Sequence, residues 1–68
     1  MTKLRHVENW AVIRLSDNTP AVVTNTEKRG FRMVKIGRDH SRWVNKDDLV
    51  TVVHYAAELA HQYLETLA

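Results

Sequence analysis

Hydrophobic positions in the first two-thirds of the chain fall in short runs cut by turn-forming residues, without helical spacing. Asn9–Leu15 is rich in aromatic and β-branched side chains and stops at Ser16-Asp17-Asn18-Thr19-Pro20, whose side chains favour a turn. A second run, residues 20–25, opens on Pro20, acceptable at the first position of a strand. Thr26–Gly30 reads as a hairpin loop, with Gly30 supplying a left-handed backbone. Residues 31–36 and 41–44 then read as a third and a fourth strand, and the short connections predict an antiparallel meander that could curl toward a small barrel.

Beyond Asn45 the period changes. Leu49, Val52, Val53, Ala56, Ala60, Tyr63 and Leu67 share one stripe at helical spacing, and Asp47, His54, Glu58, His61 and Glu65 share the opposite side. Asn45 can cap a helix that has Asp47 and Asp48 in its first turn. The pattern therefore predicts an α+β domain: about four strands followed by an amphipathic helix over roughly residues 46–67. A competing reading takes the β-branched run Val50–Val53 as a fifth strand after a tight turn at residues 45–49. Under that reading residues 43–50 resemble the end of SH3-like small barrels.

A helix of that length would extend ~33 Å, whereas a compact chain of this size has a radius of gyration of ~11 Å. Its overhanging apolar residues, Ala60, Tyr63, Leu64 and Leu67, are therefore expected to mediate self-association as a homodimer.

Length and composition narrow the classes. Sixty-eight residues hold one core, and with no cysteine neither disulfides nor thiolate zinc sites can staple it. The N-terminal residues lack the apolar run of a signal peptide, no stretch is apolar enough for a membrane span, and a cytoplasmic location is expected.

The net charge of +2 conceals a division. Residues 1–27 balance, residues 28–46 carry an excess of +6, and residues 47–68 carry −4. Lys28, Arg29, Arg32, Lys35, Arg38 and Arg42 surround one hairpin, with Phe31 and Trp43 interleaved. Cations of this kind neutralise phosphates, and aromatic faces stack on bases. Strand alternation nevertheless places Arg32 and Lys35 on opposite faces. Trp10, Trp43 and Phe31 are expected in the core, since a domain this small needs its large side chains inside.

Other constellations carry less. His54, Glu58 and His61 could offer a helix face to a divalent metal, but nothing else in the chain completes a four-ligand shell, and no metal or cofactor is expected. Asp39-His40-Ser41 contains the residue types of a hydrolase triad, yet neighbours in a turn diverge and cannot share its geometry. Gly30 and Gly37 are too isolated to cradle a phosphate, so no catalytic residue is assigned. The sequence thus predicts a small non-catalytic regulatory module whose basic hairpin contacts nucleic acid. The alternative is a protein-interaction module, a small inhibitor or adaptor that docks on a larger protein.

Overall fold

The computed structural model describes residues 1–54. They form one six-stranded antiparallel sheet: β1 (Thr2–Lys3), β2 (Val12–Arg14), β3 (Pro20–Lys28), β4 (Phe31–Lys35), β5 (Ser41–Asn45) and β6 (Leu49–His54), in the order β1-β6-β2-β3-β4-β5. A flat sheet of this many strands would be about 24 Å wide and about 10 Å thick. The molecule instead measures 28 × 22 × 21 Å, with a radius of gyration of 10.5 Å, so the sheet is curled around its core. Leu4, Val7, Ala11, Ile13, Leu15, Ala21, Val23, Val34, Val44 and Val50 meet there as one cluster.

Two features produce the curl. Between Val23 and Glu27 the register against β4 shifts by two residues, so that Thr24, Asn25 and Thr26 stand opposite Met33. The Thr24 hydroxyl fills the gap, donating to the Met33 carbonyl at 2.9 Å and accepting from the Thr26 amide at 3.2 Å. A bulge of this kind bends the strand and increases its twist. The second feature is closure near the N-terminus. The Leu4 and Arg5 amides, in a three-residue 3-10 turn after β1, donate to the carbonyls of Asp48 and Lys46 at 2.9 and 2.8 Å.

The expected α+β fold with a helix over 46–67 is overturned. Leu49–His54 is a strand slotted between β1 and β2, and the described residues contain no α-helix. The physical reason lies at Asn45. Its side-chain oxygen accepts from the Asp47 amide at 2.8 Å and its carbonyl from the Asp48 amide at 3.1 Å, closing a tight turn. An Asn that could cap a helix serves equally well in such a turn. Downstream, exposure alternates: Val50 is buried between exposed Leu49 and Thr51, and Val52 is half-buried beside exposed Val53. The competing reading of residues 50–53 is the one the structure adopts.

The uninterrupted stripe from Leu49, on which the homodimer argument rested, therefore does not exist. Ala60, Tyr63, Leu64 and Leu67 lie outside the described residues, as do Glu58 and His61. Among the described residues no helix is long and apolar enough to cross a membrane.

Candidate nucleic-acid interface

The β3–β4–β5 segment sorts its side chains by alternation. Val34 pairs with Val23 and with Arg42, and Arg32 pairs with Glu27 and Val44, so these side chains share the inner face. The outer face then receives Phe31, Met33 and Lys35 from β4, Ser41, Trp43 and Asn45 from β5, and Lys28 from β3. Phe31 and Trp43 are 38% and 39% exposed, which corrects the expectation that both are core residues. Trp10 is likewise at the surface, with a left-handed backbone (φ 69°), and its amide donates a hydrogen bond to the Val23 carbonyl at 2.7 Å. Valines occupy the interior instead, because their compact branched side chains fill a tightly curled sheet.

The six predicted phosphate contacts separate into three groups. Lys28, Arg29, Lys35 and Arg38 have no carboxylate partner among the described residues. Lys28 places its ammonium 4.3 Å from the centroid of the Trp43 ring and 5.8 Å from that of Phe31, so one cation bridges both aromatic groups. Arg29 sits in the adjoining turn, where Gly30 adopts a φ of +80°. Lys35 ends β4, about 14 Å along the strand from Phe31, and Arg38 follows in the next turn, where it is exposed. Arg42 forms the second group: it projects from the inner face at the sheet's margin and pairs with Asp17 at 3.2 Å.

Arg32 is the third. Only 5% exposed, it donates through Nη1 to the carbonyls of Leu4 and Val7 at 2.7 and 2.6 Å and through Nη2 to Asn9 Oδ1 at 2.7 Å. Burial lowers its pKa from the ordinary guanidinium value, opposed by the carboxylate of Glu27. Arg32 is thus a clamp between β4 and the N-terminal segment, and no phosphate can reach it. The signal was present in the sequence, in the alternation that sets Arg32 apart from Lys35.

Asp47 pairs with Arg5 at 2.7 Å, and Glu27 reaches Lys46 at 3.5 Å. Hydrogen bonds from the Thr19 hydroxyl and amide lower the Asp17 pKa below its ordinary value; desolvation opposes them, and the hydrogen bond and charge of Arg42 add smaller lowering contributions. No group of three or more His, Asp or Glu side chains that could hold a metal occurs among the described residues.

A cleft of about 340 Å³ opens at the margin of the sheet. Phe31 and residues 42–45 of β5 form one wall, and Leu15, Ser16, Asp17, Asp48 and Val50 the other. β5 and β6 are far apart in the order of the sheet, and the curl brings them to face each other across this gap. No family model, curated protein or solved structure matches the chain.

Proposed function

We propose that this protein is a non-catalytic cytoplasmic module that binds single-stranded nucleic acid on the outer face of β4 and β5. The observation that carries the reading is the exposed pair Phe31 and Trp43 with Lys28 set against both rings. Bases stack on aromatic faces whatever their identity, while neighbouring cations follow the phosphates. Lys28 and Arg29 stand at one end of the aromatic pair, and Lys35 and Arg38 at the other. Such a strip suits an unpaired strand, whose bases can splay onto it, better than a duplex, whose bases are stacked within. No side chain is assigned to reading base identity.

The test is titration of the protein with a 15-nucleotide oligothymidine and its RNA counterpart at about 50 mM salt, where electrostatic binding is strongest. Quenching of tryptophan fluorescence that is lost in Trp43→Ala but kept in Trp10→Phe supports the assignment. Stacking of one base contributes about 1–3 kcal/mol, so Trp43→Ala should weaken binding by about 5- to 150-fold. No binding of either oligonucleotide at that salt concentration rejects it. In that case the rival reading, a small inhibitor or adaptor docking on a larger protein, is tested by capture from nuclease-treated lysate.

A further inference from the structure

The same hairpin carries a second recognition element, built from backbone. β5 pairs with β4 alone and is an edge of the sheet. In an antiparallel pair, successive residues direct their amides and carbonyls alternately toward the partner and away from it. The phase is fixed by two bonds at the ends of the β4–β5 ladder: the Lys46 amide donates to the Gly30 carbonyl and the Ile36 amide to the His40 carbonyl, each at 3.0 Å. Continuing the register, Val44 and Arg42 bond to Arg32 and Val34. Ser41, Trp43 and Asn45 therefore direct their backbone groups outward.

Of these groups, the Asn45 carbonyl is taken by the Asp48 amide. The amides of Ser41, Trp43 and Asn45 and the carbonyls of Ser41 and Trp43 have no backbone partner among the described residues. They form a row repeating every ~7 Å. The cleft lies along this row. Leu15, Val44 and Val50 give it an apolar lining, and its volume of about 340 Å³ falls within the range of ligand sites.

We infer that the free edge of β5 accepts an extended peptide from a partner protein as an additional antiparallel strand, with an apolar side chain over Leu15, Val44 and Val50 and a cationic side chain beside Asp48. Main-chain hydrogen bonds provide affinity in this mode, and pockets for alternate side chains provide selectivity. Charge selects the cation. Asp17 and Arg42 neutralise each other across the cleft, whereas Asp48 lines it without a cationic partner among the described residues. A second copy of the chain is a poorer occupant, because edge-to-edge pairing would bring the basic hairpins of both copies together.

The experiment uses the 68-residue chain labelled with ¹⁵N and three acetylated, amidated seven-residue peptides that alternate valine with serine and carry lysine, threonine or glutamate in place of one valine, on the face that enters the cleft beside Asp48. Amide shifts and hydrogen exchange are followed in each titration. The lysine peptide should slow exchange at Ser41, Trp43 and Asn45 and bind most tightly, and the glutamate peptide should bind least. N-methylation of the peptide residues whose amides face β5 should abolish binding, whereas methylation of the intervening residues should not. Ser41→Pro removes one outward donor without touching the β4 ladder and should weaken the lysine peptide about tenfold while oligothymidine binding is unchanged. Arg29→Ala, a phosphate contact of the nucleic-acid reading that does not line the cleft, should do the reverse, so this proposal and the nucleic-acid reading fail separately. The proposal is overturned if exchange at Trp43 is unaffected by every peptide, or if both methylation phases act alike. It is also overturned if Trp43 is already protected in a concentration-dependent way without peptide, which would identify a second copy as the occupant.

Discussion

Replacing Arg32 with methionine removes the guanidinium while keeping much of the side chain's apolar volume. Three bonds to a charged donor are lost, those to Leu4, Val7 and Asn9. At about 1.5–3 kcal/mol each, the gross loss is about 5–9 kcal/mol. Against it stands the recovered desolvation of a buried cation, several kcal/mol, together with relief at Arg32 Nε, which is buried without a partner. The net expectation is a loss of about 3 kcal/mol. Total stability for 68 residues is only about 3–10 kcal/mol, so much of it hangs on this side chain. Urea unfolding followed by tryptophan fluorescence would show the midpoint falling by about 2–3 M, given a slope near 1 kcal/mol per M. Hydrogen exchange should accelerate first at residues 4–9. Lys35→Met, on the outer face of the same strand, should cost under about 0.5 kcal/mol. If Arg32→Met matches the parent within that margin, the two carbonyls are satisfied without the guanidinium and the clamp is refuted. If the folded variant instead loses oligonucleotide affinity, Arg32 contacts phosphate after all.

Other expectations follow from the same geometry. Removing Lys28, Arg29, Lys35 or Arg38 singly should lower the slope of log affinity against log salt by about 0.7 each, whereas Arg32→Met should leave that slope unchanged; titrations between 50 and 200 mM salt check this. Gly30→Ala should cost about 1 kcal/mol in thermal or urea unfolding through its φ of +80° alone, since a Cβ there would meet nothing within 4 Å. The Asp17 pKa lies below its unfolded value, so its contribution is complete above the unfolded pKa and is lost as pH falls through the folded one. Acid titration of Asp17→Asn against the parent should therefore show the parent's advantage vanishing below about pH 4.

Several elements can be traced to particular residues in the chain. Strands β2 to β5 fall largely on the stretches marked by β-branched and aromatic runs, and the turn residues Asp17, Asn18 and Gly30 stand between them. Asp17 accepts from the Thr19 amide at 3.1 Å, and Asn18 and Gly30 take positive φ. These are local choices, made by side-chain and backbone chemistry within a few residues. The placement of Leu49–His54 is different, because Val50–Val53 fits a helical stripe and a strand equally well in isolation. The vacant edges of β1 and β2 decide it, by offering backbone partners on both sides.

By itself, the sequence determined the turns at Asp17-Asn18 and at Gly30 and where positive charge accumulates, because these follow from residue type and spacing. Tertiary structure alone decided which of those charges serve the surface. Curling the sheet placed Arg32 beneath the N-terminal segment with three oxygens to hold it, gave Arg42 an aspartate across the gap, and left Lys28 stacked on Trp43. A guanidinium's role depends on what the fold brings within hydrogen-bonding distance, and those partners come from residues far away along the chain.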